Sequence, residues 1–228
     1  MASRKRALVA ITQRVIEVPS RGERRDTLDQ SWTSFLDACD LDVIAIPNRV
    51  SDPTDYLLGF GARGVVLSGG GNVSSALETL DGTVPGVLAT DADLAPERDA
   101  VEGALLRASI VHGFPVIGVC RGMQAINVFH GGRLEPIGGH AGTRHVLVSD
   151  ARGAFDFDQE VNSYHDVGIS VAGLAPGIRV LAMADGYAEA ILHEGARHLG
   201  IMWHPERNRP FSANDVALFR RFLFGSDA

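Results

Sequence analysis

Three side chains in this sequence have the types and surroundings that acyl transfer from an amide requires: Cys120, His204 and Glu206. Cys120 lies in Gly118-Val119-Cys120-Arg121-Gly122, a Gly-x-Cys-x-Gly pattern analogous to the serine nucleophile elbow. Before it, Val116 to Val119 is a short apolar, β-branched run that predicts a buried strand. After it, Met123, Ile126, Val128 and Phe129 recur at helical spacing, with Gly131-Gly132 as the stop. The thiol therefore falls on a strand-to-helix turn. The flanking glycines permit a cramped backbone there, and the helix N-terminus favours a thiolate. A thiol nucleophile also needs a base to take and return its proton, and the base needs an acceptor to set its tautomer. His204 follows the apolar run Leu199 to Trp203, Pro205 ends that strand, and Glu206 stands two residues on, close enough to hold the imidazole.

Other reactive residues read differently. Gly69-Gly70-Gly71-Asn72 follows an apolar run, but the Gly-Lys-Ser/Thr of a phosphate loop is missing. In a thiol amidase such a loop can instead aim backbone N–H groups at an oxyanion. His130, His140 and His145 invite a metal reading. No carboxylate or thiol stands at a standard ligand spacing from them, and the chemistry needs no metal, so the sequence predicts neither metal nor cofactor. Cys39 belongs to the apolar stripe Leu28, Trp32, Phe35, Leu36 and Cys39 and reads as core.

The elements that must position these groups follow from periodicity. Ala7 to Thr12, Leu41 to Pro47 and Val65 to Ser68 read as strands, and Leu28 to Cys39 as a helix. Asp52-Pro53 opens a short helix, and Pro96 opens another through about His112. Gln13 to Asp26 reads as a polar loop and Ser74 to Leu94 gives little signal, its end from Asp91 looking like loop. Gly138 to Arg144 reads as a loop before a strand opened by His145. Val146 to Val148, Glu160 to Tyr164, Ile178 to Ala184, Tyr187 to Leu192 and Leu199 to Trp203 read as strands, and Ser212 caps a last helix. Strands alternate with helices early and crowd together late. That predicts an α/β domain over 1–228, with a mostly parallel central sheet, helices on both faces and an antiparallel addition.

Composition excludes several classes. The chain has 228 residues, 45% hydrophobic and 21% charged, which suits one globular domain. A formal net charge of −7 argues against nucleic-acid binding, and no apolar run approaches a membrane span. The basic start through Arg6 is followed by too short an apolar run for a signal peptide. With two cysteines there is no disulfide framework, so the expected location is the cytoplasm.

At four segments the sequence resembles the class I glutamine amidotransferase-like superfamily, and within it the γ-glutamyl hydrolases and γ-glutamyl-γ-aminobutyrate hydrolases of the C26 peptidase type. The segments are Leu67 to Gly71, the Cys-Arg-Gly-Met-Gln elbow, Val161 to His165, and Gly200 to Glu206. The resemblance implies a flavodoxin-like fold and hydrolysis of a γ-glutamyl amide through a thioester, with Cys120 as nucleophile, His204 as base and Glu206 as orienter. It implies oxyanion N–H groups from Gly70 and Arg121, with the choice among Gly69, Gly70 and Gly71 left open. It places Gly71, Gln124, Asn162, Ser163, Tyr164 and His165 around the substrate's glutamyl end. Arg14, Arg24 and Arg25 are candidates for an acidic or phosphorylated leaving group. The expected partner is a small γ-glutamyl conjugate, with a homo-oligomer as one possible assembly. Two other readings remain: a glutaminase subunit feeding ammonia to a separate synthase, and a non-catalytic regulatory or binding member.

Overall fold

The computed structural model describes residues 6–83, 92–149 and 155–225. In chain order its strands and helices are β1 (Ala7–Thr12), β2 (Arg14–Val18), β3 (Glu23–Thr27), α1 (Ser31–Ala38), β4 (Leu41–Ile46), α2 (Pro53–Gly59) and β5 (Val65–Leu67). Then come α3 (Pro96–His112), β6 (Val116–Val119), α4 (Arg121–Phe129), β7 (Glu135–Pro136), β8 (Ala141–Val146), β9 (Val148–Ser149) and β10 (Glu160–Tyr164). The chain closes with β11 (Val167–Gly168), β12 (Arg179–Ala184), β13 (Tyr187–His193), β14 (His198–Ile201) and α5 (Ala213–Phe224).

Eight strands form one sheet in the order β4-β1-β5-β6-β14-β13-β12-β9. The pairs from β4 to β14 are parallel, and those from β14 to β9 are antiparallel. Because successive strand side chains point to opposite faces, the sheet divides the core in two. Ala10, Val65, Leu67 and Val116 join the cluster built on α2, α3 and α4. Val9, Ile11, Val66 and Ile117 join the cluster built on α1 and α5. This is the mostly parallel α/β sheet with helices on both faces and an antiparallel addition that the sequence predicts.

Several boundaries differ. Gln13 to Asp26 is not a loop but holds the β2–β3 hairpin, with Glu17 paired opposite Arg24. Only Val15 of β2 is buried and nothing in β3 is, so the ribbon is held by cross-strand charge pairs and shows no apolar alternation. Helix α1 begins at Ser31, where Asp29 Oδ1 accepts the Ser31 amide at 2.8 Å. β8 starts at Ala141, so the expected loop ends before Arg144 and His145 sits inside the strand. Val146 and Val148 belong to separate strands. β14 ends at Ile201, and Met202 and Trp203 leave the sheet as a bend. The Trp203 indole N–H donates to Asp215 of α5 at 2.9 Å. Of the expected Asp91 to Leu94 loop, Asp91 lies outside the described residues.

Glycine lets α4 sit against the sheet. A Cβ on Gly122 would lie 2.3 Å from the Leu67 carbonyl oxygen, and one on Gly118 would lie 2.3 Å from the Gly122 oxygen. Backbone cannot give way as a flexible side chain can. Gly122→Ala should therefore lower stability by about 1–3 kcal/mol in urea denaturation. Gly138→Ala, where a Cβ meets nothing within 4 Å, should stay within about 0.5 kcal/mol of the wild type. Equal stabilities of the two variants would show that the β5–α4 contact is not closed by glycine.

Candidate functional site

β6 delivers Cys120 to its parallel end, and α4 begins at the next residue. The backbone makes this turn in an unfavourable conformation, with Cys120 at φ 52° and ψ −107°. The bend keeps the thiol close to the first turn of α4, where the Arg121 amide favours the thiolate. β14 runs parallel beside β6, and the bend after it carries His204 to the same end of the sheet.

The imidazole is held from two sides. Its Nδ1–H donates to Glu206 Oε1 at 2.6 Å, which directs Nε2 away from the carboxylate. Its backbone is clamped by Asn162: Asn162 Oδ1 accepts the His204 amide at 2.8 Å, and Asn162 Nδ2 donates to the His204 carbonyl at 2.8 Å. The approach of thiol and ring shows at Gly69. A Cβ there would lie 2.5 Å from His204 Cε1 and 3.4 Å from Cys120 Cβ. Only glycine fits between them.

Charge follows from this geometry. Burial pushes the Cys120 thiol up, but the hydrogen bond and charge of His204, the charge of His165 and the Arg121 amide together bring it below the ordinary cysteine value. Burial pushes His204 down, but Cys120 and Glu206 raise it to about 9. Both directions favour thiolate paired with imidazolium. Cys39 is the contrast, pushed up to about 12 by burial in the α1 core.

The glycine loop after β5 has its carbonyls turned inward. The buried Arg98 guanidinium donates to the oxygens of Ser68, Gly69 at 3.3 Å and Gly70 at 2.7 Å. The amides of Gly69, Gly70 and Gly71 find no acceptor among the described residues. Gly70 and Gly71 both have positive φ, 86° and 75°. A donor-rich loop thus stands beside the Arg121 amide, and such an arrangement receives an anion. Arg98 was not among the expected site residues. Its signal was an Arg98–Glu102 pair spaced one helical turn apart in a helix otherwise read for its apolar face.

The remaining candidates divide. The Tyr164 ring stands edge-on to His204 with centroids 5.7 Å apart, and the Arg207 guanidinium lies over the ring at 4.4 Å. Arg14 packs over Gly70, pairs with Asp93, and lines a cleft of about 290 Å³ with Ile16, Asp29, Glu206 and Arg207. Larger clefts, of about 490 and 550 Å³, open along α3 and contain none of Cys120, His204 and Glu206. Gln124 is buried, and its Nε2 donates to the Val167 carbonyl at 3.0 Å, so it ties α4 to β11. Asn162 and Ser163 spend their side chains on the protein, Ser163 on the His140 carbonyl. Arg24 pairs with Glu17 and Glu97, and Arg25 with Glu23. The metal reading also changes. His130 lies with His193 and His198, stacked on His193 at 4.1 Å, away from the other two. The fold brings Glu189 and His165 to His140 and His145, supplying the carboxylate that sequence spacing lacked.

Alkylation by iodoacetamide reads the charge state directly. The Cys120 rate should plateau below the pH at which an ordinary cysteine ionises, and Cys39 should stay unmodified. His204→Ala removes the hydrogen bond and the positive charge but leaves the burial, so the inflection should move up by about one pH unit or more. An unchanged inflection would mean that His204 does not set the thiol.

The comparisons agree with this architecture. The chain is 28% identical over 220 residues to the γ-glutamyl-CDP-amidate hydrolase of Campylobacter jejuni, covering 94% of this chain and 96% of that one. It is 28% identical over 234 residues to the γ-glutamyl-γ-aminobutyrate hydrolase of Escherichia coli, covering 89% and 87%. A glutamine amidotransferase structure from Thermotoga maritima superimposes with a TM-score of 0.60 over 95% of this chain and 84% of that one, at 11% identity, and so shares the fold. The sequence model of peptidase C26 matches residues 8–206, and with its thiol, imidazole and carboxylate at one end of such a sheet this chain belongs to the peptidase C26 family of glutamine amidotransferase-like hydrolases.

Proposed function

We propose that the chain hydrolyses the γ-glutamyl amide bond of a small γ-glutamyl-amine conjugate through a γ-glutamyl thioester on Cys120. One observation carries the reading. His204 is hydrogen-bonded to Glu206 and its ring stands beside Cys120 at Gly69, with the glycine loop and the first residue of α4 beside the thiol.

The Cys120 thiolate attacks the γ-carbonyl carbon and forms a C–S bond. The carbonyl electrons move to oxygen, and the Arg121 amide and an amide of the Gly69–Gly71 loop, assigned to Gly70, hold that oxyanion. Collapse breaks the C–N bond as imidazolium His204 gives its Nε2 proton to the departing amine. Water then gives a proton to His204 and its oxygen attacks the thioester carbon. The C–S bond breaks and glutamate leaves. Glu206 keeps Nδ1 protonated throughout, so the exchanging nitrogen is always Nε2. Asn162 keeps the ring at the thiol. Tyr164 and Arg207 shape the rim, and Arg14 stands where a leaving group bearing an anion would pass. Gly71 contributes backbone, and Gln124, Ser163 and His165 act by holding the walls of the site.

The names of two relatives, γ-glutamyl-CDP-amidate hydrolase and γ-glutamyl-γ-aminobutyrate hydrolase, support the substrate class. A glutaminase serving a separate synthase would use the same thiol chemistry. The two readings separate by autonomy, because a hydrolase has no ammonia to withhold from a partner.

Single-turnover mass spectrometry of the purified chain with a panel of γ-glutamyl amines and glutamine should show a γ-glutamyl adduct on Cys120 without any partner. Some amine conjugate should react faster than glutamine, and Cys120→Ala should show no adduct. No acylation by any conjugate, with glutamine cleavage switched on by an added synthase, would replace the hydrolase with an amidotransferase subunit.

The roles of imidazole and carboxylate separate by kinetics. His204→Ala removes the proton carrier and Glu206→Gln only its orienter. Glu206→Gln should keep about 10- to 100-fold more kcat than His204→Ala. The reverse order in folded variants would show that His204 is not the base.

A further inference from the structure

On the antiparallel side of the sheet lies a second group of reactive side chains that takes no part in the bond-making or proton-transfer steps of the proposed reaction. His145 comes from β8, His165 from the turn between β10 and β11, Glu189 from β13, and His140 from the loop before β8. All four residues are buried, Glu189 completely. One ligand atom from each lies within 4.8 Å of the others.

Hydrogen bonding leaves these atoms unsatisfied. Both Glu189 carboxylate oxygens, His140 Nδ1, His145 Nε2 and His165 Nε2 are buried without a hydrogen-bond partner among the described residues. A buried carboxylate without donors is costly, and it is rare in folded proteins unless it is paired or binds a cation. The histidines are oriented from behind. His165 Nδ1–H donates to the Val167 carbonyl at 3.0 Å, so its Nε2 faces Glu189 Oε1, 3.4 Å away, and would give up its proton on binding a cation there. His140 Nε2 and His145 Nδ1 lie 3.9 and 3.6 Å from the Asp185 carboxylate, leaving their other nitrogens free. Backbone carbonyls and carboxylates behind the rings are how metal-binding histidines are held in one tautomer.

We propose that His140, His145, His165 and Glu189 form a binding site for a divalent transition cation of the zinc class. Three imidazole nitrogens and one carboxylate oxygen are a zinc donor set. With bonds of about 2.0–2.1 Å a tetrahedral site has ligand–ligand edges of about 3.3–3.4 Å. The His165–Glu189 separation already matches such an edge, and the wider ones close with small side-chain movements. Four protein ligands leave no open position, so the ion is structural. It joins β8, β13 and the end of β10, the strand whose Asn162 clamps His204. This site is independent of the substrate assigned to Cys120.

The test uses the full-length chain carrying Cys120→Ala, so that zinc at the thiol cannot account for binding. After stripping with a chelator and dialysis, zinc should bind at about one equivalent. It should raise Tm by about 5–10 °C at a hundredfold excess over Kd. Cobalt(II) substitution should give the intense visible bands of a tetrahedral N/O site. His140→Ala, at a loop position that should spare the fold, should weaken zinc binding at least tenfold, and Glu189→Gln should remove most of the zinc-dependent rise in Tm. Equivalent binding by folded His140→Ala and Glu189→Gln would put the zinc elsewhere, with the His130, His193 and His198 group the alternative, and would overturn the assignment. No binding and no Tm shift in the stripped protein would also overturn it. In that case a proton shared between His165 and Glu189 holds the cluster together.

Discussion

The site depends on a buried ion cluster that lies under the thiol without touching the reacting atoms. Arg98, Asp99 and Glu102 of α3 meet Arg121 of the elbow, and all four are almost fully buried. Thr12 of β1 donates to Glu102 at 2.7 Å, and the hydroxyl and amide of Ser74 donate to Asp99. Positive and negative charges balance. Burial pushes Arg98 down to about 10, which still leaves it charged at neutral pH. Removing one member of such a cluster leaves an uncompensated buried charge, which costs about 3–5 kcal/mol. The cluster therefore constrains both ends of the proposed oxyanion site together. Arg98 turns the carbonyls of Ser68, Gly69 and Gly70 inward, and Arg121 secures the first residue of α4.

This arrangement gives Arg121 two separate functions. Its side chain belongs to the ion cluster, while its amide faces the sulfur. The neighbours of the thiol, and not solvent exposure, favour its charged form, since Cys120 is itself buried. Close approach is what makes this possible. Glycine at 69, 118 and 122 removes the Cβ atoms that would separate the loop, the elbow and the helix. The strained Cys120 backbone is held in place by packing on both sides of the sheet.

Second to that cluster, the separate two-stranded β10–β8 ribbon does positional work. β10 supplies the Asn162 clamp on His204, and Tyr164 forms the rim beside the imidazole. The same strand runs on into His165, which faces Glu189. The side chains that resemble a substrate-binding segment are thus largely committed to holding the protein. Gln124 behaves likewise, bonded to β11 instead of facing solvent on its helix.

What was legible in the sequence is local chemistry with a short-range physical signature. An apolar run, a glycine frame and a helical stripe place Cys120 on a turn, because strand and helix periods and glycine's freedom act within a few residues. His204-Pro205-Glu206 is legible for the same reason, as is the mostly parallel α/β sheet, since each element carries its own period. The β2–β3 hairpin was not legible, because its stability lies in pairs such as Glu17 and Arg24 across the turn and not in an apolar face. Arg98, Glu189 and the clamp that Asn162 places on His204 were not legible either. Each acts on a partner far away in the chain, and a buried polar group is matched by whatever the fold brings to it, not by sequence spacing. The tertiary structure alone decided that Arg98 turns the glycine loop, that Arg24 and Arg25 are paired with Glu17, Glu97 and Glu23, and that a carboxylate reaches His140, His145 and His165.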